Sequence, residues 1–188
     1  GTRQLSVSSP SVGVQANDLD ADGDTFVAAL VSGPTHATAF GLNQNGTFWY
    51  RATTGYSGVD TFTYRATDGI NSGELTTVTL TVNQPATLSY NALFWSIPEH
   101  QTLATPLKLG AATVADDGFG TNTLTLAGPD AALFTLDENN NLFLNAGLTI
   151  DFDARTRFEV QLQLDDPSIA GSPDATQTLI FTVQDLNE

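Results

Sequence analysis

The sequence predicts an all-β chain made of two tandem β-sandwiches, and three observations carry that reading. Polar and apolar residues alternate in short runs at 26–31, 47–51, 61–66, 76–82, 124–126, 141–144, 158–164 and 178–183, the period of a half-buried strand. Turn signals separate the runs, and short strands at this spacing are the mark of a sandwich, about seven strands to a module. Helical periodicity is sustained nowhere in the 188 residues.

In chain order, the run 26–31 ends at Gly33-Pro34, and Asn45-Gly46 opens the run 47–51. The run 61–66 closes on Asp68-Gly69 and Asn71-Ser72-Gly73, and 76–82 ends at Asn83-Gln84-Pro85, where Pro forbids continuation as a central strand. A module boundary follows there, giving modules 1–84 and 85–188. Beyond it, Gly128-Pro129 separates 124–126 from 141–144, and 158–164 and 178–183 complete the second module.

Composition narrows the function. Charged residues make up only 14% of the chain, so Thr, Ser, Asn and Gln supply the polar surface, a mixture suited to strands. The formal net charge of −15 would repel a phosphate backbone or an anionic bilayer, which excludes nucleic acid and membrane surfaces and favours cations as partners. Seven acidic and three basic residues give the first module −4, whereas fourteen and three give the second −11. With no Cys, a disulfide framework and thiolate chemistry are ruled out, in keeping with a secreted protein held by metal. No apolar run approaches the ~18 residues of a membrane-spanning helix, and the opening GTRQLSVSSP is neither signal peptide nor anchor; the chain reads as an internal piece of a larger protein.

The acidic residues cluster where strands end. Calcium takes 6–8 oxygens at roughly 2.3–2.6 Å, so a protein site needs carboxylates and carbonyls converging from separate loops. The second module offers Ile97-Pro98-Glu99, Asp151-Phe152-Asp153 and Asp185-Leu186-Asn187-Glu188. Strand alternation at 151–153 would aim both aspartates to one side and Phe152 to the other. Isolated pairs such as Asp165-Asp166 and Asp137-Glu138 read instead as solvated surface.

Four stretches of the second module resemble, in order, those of a cadherin repeat. Ser96-Ile97-Pro98-Glu99-His100 resembles the opening "PEN" motif, and Gly128-Pro129-Asp130-Ala131-Ala132-Leu133-Phe134 resembles "G-x-D-x-x-x-F". Leu148-Thr149-Ile150-Asp151-Phe152-Asp153 resembles "LDRE/LDYE", and Asp185-Leu186-Asn187-Glu188 resembles the start of the "DxNDN" linker. The resemblance implies that Glu99, Asp151, Asp153, the Leu186 carbonyl and Glu188 form half of an inter-module calcium site, with Asn187 belonging to the linker, and Asp185 and Asn187 join the candidate metal residues. Asp153 stands where the family has Glu, and Glu188 where it has Asp. At the module's other end, Val114-Ala115-Asp116-Asp117 aligns with the family's "DxD" loop but lacks its first carboxylate, leaving Asp116, Asn122 and Asp166 as weaker candidates. Because the preceding module ends in Asn83-Gln84-Pro85 without an acidic linker, the resemblance implies a calcium-poor junction between the two modules.

The first module resembles the bacterial Ig-like and cadherin-like repeats of large surface adhesins. The resemblance rests on Asn17-Asp18-Leu19-Asp20-Ala21-Asp22-Gly23-Asp24, Gly33-Pro34-Thr35-His36, Asn45-Gly46-Thr47-Phe48, the stretch 56–64 and Ala66-Thr67-Asp68-Gly69. It implies that Asp18, Asp20, Asp22, Asp24 and Asp68 gather as the other kind of half-site. The same loop imitates the start of an EF-hand, but position 12 would be Ala29, without the bidentate carboxylate that motif needs, so that reading fails.

No catalytic constellation stands out. His36 and His100 lack a second His or Cys at ligand spacing and read as turn or surface residues, and paired carboxylates cannot be told from calcium ligands by spacing alone. Trp49-Tyr50 and Phe94-Trp95 each place one aromatic outward if they lie in strands. The sequence therefore points to a non-enzymatic, calcium-binding spacer and adhesion unit of an extracellular or cell-surface bacterial protein. Its partners would be neighbouring modules, another surface protein or a second copy. The rival reading is a carbohydrate-binding module, calcium-assisted, that takes a polysaccharide.

Overall fold

A computed structural model describes residues 4–19 and 23–186. The chain divides into two compact units, Gly1–Gln84 and Pro85–Glu188. Its described residues contain strands and two short 3-10 turns, and no helix among them is long and apolar enough to cross a membrane.

In the first unit the strands are β1 (Gln4–Val7), β2 (Val27–Ser32), β3 (Ala37–Leu42), β4 (Phe48–Ala52), β5 (Gly58–Thr67) and β6 (Thr76–Val82). They form two antiparallel three-stranded sheets, ordered β1-β4-β3 and β2-β5-β6. Alternation decides which side chains enter the core: Phe48, Tyr50 and Ala52 of β4 are buried, as are Asp60, Phe62 and Tyr64 of β5. Phe62 meets the rings of Phe40 and Phe48 at 4.8 and 5.3 Å between centroids. The β3–β4 hairpin turns at Asn45-Gly46, where Gly46 takes a φ of +79° that favours glycine. There the Asn45 carbonyl oxygen Oδ1 accepts from the Thr47 N–H (3.2 Å) and hydroxyl (2.7 Å).

The second unit contains β7 (Thr87–Ala92), β8 (Ser96–Pro98), β9 (Gln101–Thr102), β10 (Leu107–Ala115), β11 (Thr123–Ala127), β12 (Phe134–Leu136), β13 (Asn141–Leu144), β14 (Thr149–Ile150), β15 (Arg157–Asp165) and β16 (Ala175–Gln184). One sheet runs β12-β13-β10-β7, the other β11-β15-β16-β8, and β14 pairs β9 as a small ribbon. The chain leaves the first sheet after β7 and joins the second through β8, which lies parallel to β16. Leu109, Leu142, Leu144, Val160, Leu162 and Phe181 are fully buried between the two sheets. Trp95, between β7 and β8, stacks on Phe181 (5.4 Å, 21°) and meets Tyr90 edge-on (5.9 Å).

The all-β architecture matches the expectation, and strand bounds differ from the sequence reading by a few residues. Eight strands lie outside the expected runs: β1, β3, β7 to β10, β12 and β14. At 151–153 the expected strand alternation does not hold. These residues form a turn in which Asp151 Oδ1 accepts the N–H of Asp153 (3.0 Å) and Ala154 (3.4 Å), while the Asp151 carbonyl accepts that of Arg155 (2.9 Å). A short acidic side chain that captures its own downstream backbone stops a strand.

Candidate functional site

The end of the second unit where β8, β14 and β16 finish is built around Glu99. Buried Ile97 pairs with Val183 in β16, and the Glu99 N–H donates to the Gln184 carbonyl (3.2 Å), so the chain enters this corner at a fixed height. His100 then takes a φ of +63°, a left-handed conformation uncommon for a residue with a Cβ, and its N–H donates to the Ile150 carbonyl (2.9 Å). The reversal tucks the Glu99 side chain inward, leaving the residue 6% exposed.

The Glu99 carboxylate spans two segments far apart in sequence. Its Oε2 accepts the Phe152 N–H at 3.0 Å, and its Oε1 accepts the Leu186 N–H at 2.9 Å. His100 Nδ1 stands 3.1 Å from Oε1. Hydrogen bonds to an ionised acceptor are the strong ones, and a carboxylate out of water needs them. Glu99 thus holds the 151–153 turn and the chain at Asp185-Leu186 to one corner. Asp151 and Asp153 are exposed and Asp185 half-buried; Asn187 and Glu188 lie outside the described residues. All of these donors are oxygens, the type that suits a hard divalent cation. Among the described residues, however, no three acidic or histidine side chains are close enough together to hold a metal ion.

In the first unit, Asp18 and Asp68 line one cleft of about 120 Å³ with Leu19, Phe26, Thr67 and Asn71. The Tyr64 hydroxyl lies 2.6 Å from the Val14 carbonyl and 3.1 Å from Asp18 Oδ2. Burial and the adjacent Asp18 charge push this phenol up to about 12. Asp68 is held below the ordinary carboxylate value by the N–H groups of Asn71 (2.6 Å) and Ile70 (2.7 Å). Asp24 is exposed, and Asp20 and Asp22 lie outside the described residues.

The weaker candidates separate. Asp116 is exposed and accepts the Gly118 N–H (3.1 Å), and Asn122 buries its Oδ1 without a hydrogen-bond partner among the described residues. Asp166 is 1% exposed, which corrects the reading of Asp165-Asp166 as solvated surface. Its Oδ1 accepts the N–H of Ser168 (2.9 Å) and Thr121 (3.4 Å), and its own N–H donates to Asp174 (2.7 Å), so it joins two loops. Asp137 likewise organises a turn, accepting from the Asn139 and Asn141 N–H groups and the Asn141 amide.

Sequence reasoning missed two further centres. Asp60, 3% exposed, accepts from the N–H of His36 (2.9 Å), Thr35 (3.0 Å) and Thr61 (2.9 Å) and from the Tyr50 hydroxyl (3.0 Å). His36 stands exposed in a bend, as the sequence reading has it, and its ring stacks on Tyr56 at 4.0 Å, with Nδ1 3.7 Å from Asp60. The signal lay in β5, where Asp60, Phe62 and Tyr64 share one parity. Asp130, inside the stretch 128–134, accepts from Arg155 (2.7 Å) and from the Glu159 N–H (2.8 Å), pinning its loop to β15.

The two sheets of the first unit, its Asn45-Gly46 hairpin and its acidic loop coincide with one family match. Residues 2–84 match the model of the bacterial cadherin-like domain. The resemblance drawn from the first module is thereby borne out, and the match covers the first of the two compact bodies. A search of curated proteins returned no match. Among solved structures, a protocadherin gammaB7 EC3-6 cis-dimer is similar over 92% of this chain and 42% of its own, at 16% identity and a TM-score of 0.47. The protocadherin gammaB4 extracellular domain is similar over 90% and 28%, at 15% and 0.47. Chicken VE-cadherin EC1-2 is similar over 98% and 93%, at 15% and 0.38. The chain thus spans less than half the length of the two protocadherin chains, and likenesses at these scores assign it no function.

Proposed function

We propose that the chain is a calcium-stiffened spacer and adhesion segment of an extracellular or cell-surface bacterial protein. The observation that supports this most is the Glu99 clasp: one buried carboxylate ties the 151–153 turn to the chain at Asp185-Leu186. Asp151, Asp153, Asp185 and the Leu186 carbonyl are thereby kept at one end of a unit whose net charge is −11. The bacterial cadherin-like match over residues 2–84 gives the adhesive context.

In this reading Glu99, Asp151, Asp153, Asp185, Leu186, Asn187 and Glu188 would hold calcium, and Asp18, Asp20, Asp22, Asp24 and Asp68 would supply a second set. A bound divalent cation offsets the mutual repulsion of these carboxylates and ties the loops that bear them. The chain's own residues preorganise the corner: Glu99 fixes two backbones, and Asp151 fixes its turn.

Isothermal titration of the full chain with calcium tests the reading. Saturable binding, in the ~10⁻⁴–10⁻³ M range of extracellular modules, should fall on Asp151→Ala and fall further on Asp151→Ala with Asp153→Ala. Heats no larger than those of magnesium dilution, or uptake unchanged in both variants, would overturn it.

A further inference from the structure

On the outer face of the β1-β4-β3 sheet, the register places Gln4 and Ser6 of β1, Trp49 and Arg51 of β4, and Ala39 and Gly41 of β3 side by side. Side chains on one face of neighbouring strands form a contiguous surface. Trp49 is 37% exposed. A Cβ built on Gly41 would fall 2.7 Å from Cε2, Cζ2 and Nε1 alike, so the indole lies against the Gly41 backbone while part of the residue stays open to solvent. Any larger residue at 41 would lift it.

Around the indole are small or hydrogen-bonding groups. Gln4 Nε2 donates to Ser6 Oγ at 3.1 Å, and Arg51, two residues along β4, points to the same side. We infer that this face is a binding platform for a neutral polysaccharide, with the C–H face of one pyranose ring stacked on Trp49 and its hydroxyls met by Arg51 and Gln4. An aromatic face with flanking planar donors complements a sugar, which is apolar on its ring face and polar at its rim.

Charge and area choose this occupant over others. None of the six residues is a carboxylate, yet the chain carries −15 overall, so an anionic polymer would be repelled by the rest of the surface while a neutral one would not. A protein partner would need about 800 Å² per side, whereas the apolar part of this face is one indole beside Gly41, Ser6 and Ala39. Trp95, 49% exposed and stacked on Phe181 in the second unit, has no such row of small and hydrogen-bonding neighbours assigned to it and serves as the control. The platform needs no metal, so its fate is independent of the calcium reading.

Affinity electrophoresis of the full chain in EDTA tests it, with gels containing mixed-linkage β-glucan, xyloglucan, galactomannan or polygalacturonate. At least one neutral polymer should retard the protein. Trp49→Ala and Gly41→Ala should each weaken that binding about tenfold or more, Arg51→Gln several-fold, and Trp95→Phe not at all. Trp49→Phe, which keeps a ring, should lose less than Trp49→Ala, and circular dichroism should show every variant folded. The inference is overturned by no retardation by any neutral polymer, by retardation by polygalacturonate alone, or by wild-type retardation of folded Trp49→Ala. Self-association that depends on Trp49 without any glycan binding would also overturn it, because the occupant would then be a second copy.

Discussion

Single carboxylates set the geometry of this molecule more than its surface charge suggests. Glu99 is the clearest case. In Glu99→Gln one acceptor oxygen becomes an NH2 that faces a backbone donor, so either Phe152 or Leu186 loses its partner, at about 1–3 kcal/mol. Thermal unfolding in EDTA should therefore show the second unit melting several degrees lower, before any metal is involved. Asp60 makes a pH-dependent contribution in the first unit. Burial alone would raise its pKa, but the N–H groups of His36, Thr35 and Thr61 and the Tyr50 hydroxyl outweigh that and hold it below 3.8. Because the folded value is the depressed one, the stabilisation is present above the unfolded pKa and is lost as pH falls below about 4 toward the folded value. Asp60→Asn should flatten that acid limb of the first unit's stability curve, measured by urea unfolding between pH 2 and 6; an unchanged limb would assign it to other groups.

Among elements, the long strands were legible because their parity is strict: Phe158, Val160, Leu162 and Leu164 of β15 are all buried. Some of the strands missed from sequence owe their place to partners rather than pattern. β8 is held by parallel pairing with β16, and β10, with Gly110, Ala111 and Ala112 at its centre, follows a register shift between Lys108 and Gly110. Gly110 is needed there for space, since a Cβ would overlap the Asn91 carbonyl and lie 2.6 Å from the Tyr90 hydroxyl. Gly110→Ala should cost the second unit about 1–3 kcal/mol through overpacking, read as a lower denaturation midpoint with unchanged slope. Glu99 was singled out by its likeness to the opening motif of a cadherin repeat, but its burial and its bonds to Phe152 and Leu186 were not legible, because β8, which positions it, is too short to show a pattern. The candidate site was misread at Asp151, because alternation cannot foresee an aspartate that bonds its own turn. Asp60 was missed, and the burial of Asp166 was not foreseen, for a related reason: a carboxylate is assigned to solvent by its charge unless its donors, mostly backbone N–H groups, are known.

For the whole molecule, the account rests on carboxylate repulsion being relieved by a divalent cation that binds only the folded chain. Such a ligand stabilises by RT ln(1 + [L]/Kd), about 1.4 kcal/mol at a tenfold excess over Kd, which is several degrees for a unit of this size. The most direct measurement is differential scanning calorimetry of the full chain in EDTA and in calcium at about 10 mM, for the wild type and Asp151→Ala. The account predicts that calcium raises the wild-type transition of the second unit by several degrees, and that Asp151→Ala melts close to the wild type in EDTA yet gains little from calcium. Equal melting of the wild type in calcium and EDTA, or an equal rise in Asp151→Ala, would contradict it.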